Sequence, residues 1–174
     1  MVITISGGTC SGKTEFALRC QDFGFDRVIT NTTRNRRADD REDSYHFLTL
    51  EEFKSKIDNG DMIEHIEYNG NLYGCSVDSL TTNCVAVLEP NGVRALKKKF
   101  KEKVISVYLK VSDEERLKRG LLRGDNEEII KQRIEEDKIL FNEEFEKEVD
   151  IVFIDMEKND ICNMISMCLL DYLD

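Results

Sequence analysis

Short apolar runs rich in β-branched residues recur along this chain, and stretches with helical periodicity lie between them. The apolar runs predict five strands, at residues 2–6, 27–30, 84–89, 104–111 and 150–154. The helical patterns fall at residues 13–21, 92–101, 113–122, 127–145 and 159–173. Most of the strand runs are continuously apolar, which is typical of strands covered on both faces. The alternation predicts a three-layer α/β fold with a doubly wound, parallel, five-stranded sheet.

Residues 31–82 break this alternation. They begin with an arginine-rich polar loop and continue with the helix-like segment EEFKSKI, the alternating run MIEHIEY and the turn NGN. Alternation of polar and apolar residues is typical of a strand with one exposed face. We therefore expect a small α+β insert at 31–82 within a single domain that spans residues 1–174.

The chain is acidic, with a formal net charge of −10 and a pI near 4.8. Nucleic-acid binding normally needs a basic face, so the charge argues against nucleic acid as a partner. No apolar run approaches the roughly 20 residues that span a bilayer, and no membrane partner is expected. The six cysteines contain no CxxC pair and form no zinc-ligand spacing with the two histidines, which predicts reduced thiols and a cytoplasmic protein. The sequence leaves the oligomeric state open.

A glycine-rich segment at 7–14 reads GGTCSGKT, a full GxxxxGK[ST] pattern between the first predicted strand and the first predicted helix. Glycines in such a loop permit positive φ and let backbone N–H groups approach phosphate oxygens at a helix N-terminus. Lys13 is suited to the β- and γ-phosphates, and the Thr14 hydroxyl to a Mg²⁺ ion. The alternative is a chance glycine turn. The predicted ATP phosphate site is Gly7, Gly8, Thr9, Cys10, Ser11, Gly12, Lys13 and Thr14.

Further motifs follow the glycine loop in order. They are TTR at 32–34 with Arg37, YHF at 45–47 before an EEF helix, Glu64 before the turn GNLYG at 70–74, and RGLLRG at 119–124. In these motifs the chain resembles the guanylate kinase family over nearly its whole length. The resemblance implies a P-loop kinase that transfers the γ-phosphoryl group of ATP to GMP or dGMP, giving ADP and GDP or dGDP, with Mg²⁺ accompanying ATP.

The residue types in the insert suit a nucleoside monophosphate. A phosphate dianion favours arginines, so Arg34 and Arg37 are candidates to clamp it, with the Tyr45 and Tyr73 hydroxyls completing the shell. The Glu64 carboxylate can accept from both N1–H and the 2-amino group of guanine, whereas adenine would leave it unpaired. The alternative is a solvated charged loop, a glutamate facing water and a tyrosine packed in a turn.

Other acceptor contacts are implied by the resemblance alone. It places Thr30 and Cys75 near the guanine, and Glu89 at a strand end where the family commonly has two acidic residues. Val87 stands in place of the first of these, and Ile154 stands where the family usually has an asparagine. The full predicted GMP site is Thr30, Arg34, Arg37, Tyr45, Glu64, Tyr73, Gly74, Cys75 and Glu89.

Three arginines, Arg119, Arg123 and Arg133, lie around the RGLLRG segment. The resemblance implies a lid at 119–129 that closes over ATP, and it leaves a core of residues 1–30, 83–118 and 130–174. Together with Lys13, the three arginines are the predicted catalytic residues, because arginines delivered by closure stabilise the charge of phosphoryl transfer. The alternative is that they pair with acidic neighbours on an exposed helix surface.

Two other functions fit the same fold. Ribose 1,5-bisphosphate phosphokinases are similar in sequence to this family and act on an acceptor without a base. Non-catalytic guanylate-kinase-like interaction modules typically lack the lysine of the glycine loop. Glu64 favours an acceptor that carries a base, and Lys13 favours an enzyme.

Overall fold

A computed structural model describes residues 1–36, 40, 42–43, 45–68, 70–157 and 160–170 of the chain. Arg37, which the sequence predicts to bind the acceptor phosphate, lies outside these described residues.

The described residues form strands and helices that alternate over most of the chain. In chain order the strands are β1 (Val2–Gly7), β2 (Asp26–Arg27), β3 (Asn31–Thr32), β4 (His46–Phe47), β5 (Met62–Tyr68), β6 (Asn71–Ser76), β7 (Cys84–Val87), β8 (Val104–Lys110) and β9 (Ile151–Ile154). The helices are α1 (Lys13–Cys20), α2 (Leu50–Asp58), α3 (Pro90–Phe100), α4 (Asp113–Leu122), α5 (Glu127–Leu140), α6 (Glu143–Glu148) and α7 (Ile161–Leu170).

The main sheet is parallel and has the strand order β2-β7-β1-β8-β9. Because side chains alternate along a strand, successive residues of β1 enter two different apolar clusters. Ile3 and Ile5 cluster with residues of α1 and α7, whereas Val2 clusters with residues of α3 and α6. Both faces of the sheet are therefore covered, which confirms the predicted three-layer, doubly wound fold.

A second sheet lies within the predicted insert and has the order β4-β3-β6-β5. Helix α2 precedes β5, and its start is fixed by a capping box in which Thr49 and Glu52 each bond the other's backbone N–H. Phe53 on this helix is fully buried. Helix α2 contacts β6, so the insert is a small α+β unit with its own sheet.

The elements differ most from prediction at two places. Residues 127–145 form two helices, because Phe141 leaves helical geometry with φ −103° and ψ 60°, and the Asn142 side chain accepts from the first N–H groups of α6. The predicted strand at 27–30 is assigned only at Asp26–Arg27, since the chain then leaves for the second sheet. Helix α4 ends at Leu122, as the sequence predicts for this helix.

None of the helices in the described part of the chain has both the length and the apolar character required to cross a bilayer.

Helix α6 buries one aromatic side chain, Phe145, which is fully buried. Its ring lies 5.6 Å from that of Tyr108 and 5.7 Å from that of Phe141, both in edge-to-face geometry. The break in the helical pattern thus serves to turn Phe145 into the core.

Replacement of Phe145 with alanine should lower the free energy of unfolding by about 3–5 kcal/mol, because it opens a cavity beside Tyr108. Urea denaturation monitored by circular dichroism measures this loss. Leu122→Ala is the matched control, because Leu122 is 80 % exposed and its truncation should change stability by less than about 0.5 kcal/mol. Equal effects of the two substitutions would contradict this account of the core.

Candidate functional site

The glycine loop connects β1 to α1 with a backbone that needs left-handed residues. Gly12 has φ 99°, and Cys10 has φ 59°, which is strained for a residue with a side chain. The motif permits positive φ at its three glycines, and the structure has positive φ at Gly7, Cys10 and Gly12. At Gly8 the constraint is different, because the end of a side chain from α4 approaches the backbone closely.

Lys13 begins α1 and folds back over this loop. Its Nζ atom donates to the carbonyl oxygens of Gly7 at 2.6 Å and Gly8 at 2.8 Å. Burial lowers the pKa of Lys13, and the carboxylates of Glu89 and Asp137 oppose that shift. The ammonium therefore lies between the loop and two acidic side chains.

The insert, the end of β7 and helix α5 together line an open cavity with a volume of about 490 Å³, which is within the usual range for small-molecule sites. We call it the insert cavity. Its polar lining brings together most of the residues predicted for the acceptor: Thr30, Arg34, Tyr45, Glu64, Tyr73, Gly74 and Glu89. Arg133, predicted to be catalytic, also reaches this wall.

A second cavity, the loop cavity, adjoins the glycine loop and contains Thr9 and Lys13. Glu64, Glu89 and Arg133 line both cavities. The structure thus places the lysine of the loop and the polar residues of the insert along one continuous cleft.

Arg34 is held in the insert cavity by a carboxylate that sequence reasoning missed. Its Nη2 atom lies 2.8 Å from Oδ1 of Asp40, and both side chains are only 12 % exposed. The guanidinium carbon also lies 5.6 Å from the ring centroids of Tyr45 and Phe47. The dense acidic run after Arg37 was a signal for such a partner, but it does not indicate which carboxylate would reach the site.

Glu64 is a carboxylate in an environment that favours its neutral form. Burial and, to a smaller extent, the nearby Glu89 raise its pKa to about 7, and a backbone hydrogen bond from Cys75 opposes the shift. The side chain also packs against the start of α3, where a Cβ at position 92 would lie 2.7 Å from Cγ of Glu64. Gly92 is therefore required for Glu64 to occupy this place.

Cys75 does not reach the insert cavity. It is fully buried and belongs to the apolar cluster that contains Val28, Leu88 and Val93. Its Sγ atom lies 3.9 Å from the carbonyl oxygen of Ser76. Cys75 shares a strand face with Tyr73, but at its position on β6 the core covers that face, so its thiol is not on the cleft wall.

The three predicted catalytic arginines occupy different places. Arg119 lies within α4, and its guanidinium donates to the carbonyl oxygens of Ser11 at 3.3 Å and Met156 at 2.6 Å. Arg123 lies in the turn after α4, where it is exposed and pairs with Asp125. Of the three, Arg133 alone lines the cleft, so the structure separates the set that sequence spacing had grouped.

A parallel sheet with a glycine loop between its first strand and first helix is the architecture of the P-loop class of nucleotide-binding proteins. The family model described as guanylate kinase matches residues 3–172, and the chain belongs to that family.

Named relatives agree with this assignment. The guanylate kinase of Fusobacterium nucleatum is 31 % identical over 170 residues, which are 91 % of this chain and 90 % of that protein. The guanylate kinase of Chlorobaculum tepidum is 36 % identical over 116 residues, which are 62 % of this chain and 60 % of the relative. A crystal structure of the guanylate kinase from Anaplasma phagocytophilum superposes with a TM-score of 0.69 at 23 % identity, over 98 % of this chain and 85 % of that chain, and shows the same fold.

The raised pKa of Glu64 predicts a pH dependence of stability. Between about pH 4.5 and pH 7 the folded chain binds a proton at Glu64 that the unfolded chain releases. The free energy of unfolding should therefore fall as the pH rises through this window, by at most about 3 kcal/mol from this group. Glu64→Gln should remove that part of the slope.

Urea denaturation at several pH values between about 4.5 and 8 measures the slope. Glu67→Gln is the control, because Glu67 lies exposed on the same strand. Parallel curves for the native chain and Glu64→Gln would show that Glu64 titrates normally.

Proposed function

We propose that this chain catalyses in-line transfer of the γ-phosphoryl group of MgATP to GMP or dGMP, producing ADP and GDP or dGDP. The observation that carries the proposal is the continuous cleft in which Glu64, Glu89 and Arg133 line both the insert cavity and the loop cavity. In such a cleft an acceptor phosphate and a donor phosphate would meet in front of Lys13.

We assign the glycine loop to the binding of ATP, the phosphate donor. Its N–H groups and the N-terminus of α1 provide favourable potential for the β- and γ-phosphates, and Lys13 exchanges the carbonyl oxygens of Gly7 and Gly8 for phosphate oxygens. We assign Arg119 to the nucleotide side of the loop, because it bonds the Ser11 carbonyl. Arg123 and Arg133 are assigned to charge that develops during transfer.

The residues around the loop fit a magnesium ion held mainly by nucleotide phosphates. Thr14 lies exposed in the first turn of α1. The Oε2 atom of Glu89 is buried without a hydrogen-bond partner among the described residues, which suits contact with a metal-bound water. We propose Thr14 as a direct ligand and Glu89 as a contact through water. When bound, the ion neutralises charge on the β- and γ-phosphates.

The insert is assigned to the acceptor phosphate. Arg34 would exchange Asp40 for the phosphate dianion, with the Tyr45 and Tyr73 hydroxyls and Arg37 as further donors. The exchange keeps the guanidinium in the fixed position that Tyr45 and Phe47 already give it. Arg34 therefore reaches the ligand already oriented.

Glu64 is assigned to the guanine base. Its carboxylate is buried beside Glu89, and the N1–H and 2-amino donors of guanine would stabilise the ionised form that burial disfavours. An acceptor without a base, such as a ribose bisphosphate, would leave Glu64 without that compensation. The retained Lys13 likewise disfavours a non-catalytic interaction module. A cytoplasmic location is supported by six cysteines that are all free thiols.

An acceptor panel tests this function directly. ADP release from MgATP should be fastest with GMP and dGMP, and slow with AMP, CMP, UMP and ribose 1,5-bisphosphate. Glu64→Ala should lower kcat/KM for GMP by roughly tenfold to a hundredfold and change that for AMP little. Glu67→Ala, on the same strand but exposed, should behave as the native chain. Equal losses for GMP and AMP would show that Glu64 supports structure and does not read the base.

Removal of the loop lysine tests the catalytic role. Lys13→Ala should lower kcat by at least about a hundredfold, because it deletes a cation at the transferring phosphoryl group. Its melting temperature should remain close to that of the native chain. Lys98→Ala, on the exposed side of α3, serves as the control. Near-native turnover by Lys13→Ala would refute phosphoryl transfer at this loop.

A further inference from the structure

Thr9, the third residue of the glycine loop, is held by side chains from two distant helices. Its N–H donates to Oδ2 of Asp137 on α5 at 2.6 Å, and its carbonyl oxygen accepts from Nε of Arg116 on α4 at 2.8 Å. Both backbone polar groups of one loop residue are therefore fixed from outside the loop. The helix α1 and the strand β1 contribute nothing to either bond.

Arg116 and Asp137 also bond each other. Nη2 of Arg116 donates to the same Oδ2 atom that accepts from Thr9. The Arg116 side chain is buried and the Asp137 side chain is mostly buried, with exposed fractions of 7 % and 17 %. The second ion pair of Arg116, to Asp113, is longer at 3.3 Å and involves a half-exposed carboxylate. The Arg116–Asp137 pair is thus the buried centre of this contact.

The loop is shaped around the guanidinium of Arg116. A Cβ at Gly8 would lie 2.4 Å from both Cζ and Nη2 of Arg116, closer than heavy atoms can approach. The second glycine of the loop is therefore explained by packing against Arg116. The absence of a side chain at Gly8 leaves the space that the guanidinium of Arg116 occupies.

The pair also acts on the electrostatics of the loop. Asp137 raises the pKa of Lys13 and Arg116 lowers it, so both charges interact electrostatically with the ammonium. A carboxylate so close to Lys13 would repel the phosphates of a nucleotide unless it were neutralised. The guanidinium of Arg116 provides that neutralisation at the same oxygen atom.

We propose that Arg116 and Asp137 are a positioning pair for the phosphate donor: Asp137 fixes the loop through the Thr9 amide, and Arg116 fixes the Thr9 carbonyl and prevents Asp137 from repelling ATP. The inference rests on the proposed use of the loop for ATP. It also joins the loop to α4 and α5, the helices that carry Arg119 and Arg133. The two residues touch the loop backbone and are not assigned a contact with the reacting atoms.

Direct binding of MgATP, measured by calorimetry without an acceptor, tests the pair. Arg116→Leu leaves Asp137 charged beside the loop and should weaken binding at least about tenfold. Asp137→Asn keeps an acceptor for the Thr9 N–H and should change binding less than about threefold. The double variant Arg116→Leu/Asp137→Asn should recover at least about threefold relative to Arg116→Leu, because the uncompensated charge is gone.

Steady-state kinetics separates positioning from general loss of structure. In Arg116→Leu, KM for ATP should rise while KM for GMP stays unchanged. Simple destabilisation would lower the active fraction and leave both KM values unaltered. Lys138→Met is the matched control, since Lys138 bridges α4 and α5 through Asp113 at 3.2 Å without touching the loop. It should bind MgATP as the native chain does.

Three results would overturn the pair's role. They are native-like binding by Arg116→Leu, a double variant that binds no better than Arg116→Leu, and tighter binding by either single variant. A native chain that binds MgATP but phosphorylates none of the acceptors would refute the proposed function and leave the pair's role standing. The binding measurement therefore tests the pair's role, and the turnover measurement tests the proposed function. Either can be refuted without the other.

Discussion

Three cations in or beside the cleft are held by oxygen atoms of the protein itself, and the arrangement of the site depends on this. Lys13 bonds two loop carbonyls, Arg34 pairs with Asp40, and Arg116 pairs with Asp137. A chain of net charge −10 that binds two phosphorylated ligands must concentrate positive charge locally. Pairing with a protein oxygen fixes each cation in position. A phosphate oxygen could then replace the protein oxygen without a change in the position of the cation.

The main sheet and the glycine loop could be predicted because their signals are local. Continuous apolar strands and an eight-residue motif in its strand-to-helix context specify backbone shape within a few residues. The break at Phe141 was missed because the apolar period continues through it, and only the Asn142 N-cap marks the start of a new helix. The shortness of β2 follows from the departure of the chain to the second sheet, which no local pattern indicates.

The site was predictable in its residue types and less so in its contacts. The insert brings Arg34, Tyr45, Glu64 and Tyr73 to one cavity as the motif order implied. Arg116 and Asp137 were not foreseen, since they lie 21 residues apart and contact a loop residue more than a hundred positions earlier. Cys75 misled for the opposite reason: its place in the motif is right, but burial in the core is decided by neighbours from other elements.

Burial of Glu64 beside Glu89 would make the proposed recognition of guanine a proton-release event. With a pKa of about 7, roughly half of the molecules carry a neutral Glu64 at neutral pH. A neutral carboxyl group presents a donor where guanine also presents donors, so those molecules must lose a proton to solvent before the base is accepted. The heat of GMP association would then depend on the ionisation enthalpy of the buffer. A fall in pH would favour the neutral form of Glu64 and so weaken the binding of GMP. Protons would then compete with GMP for this carboxylate.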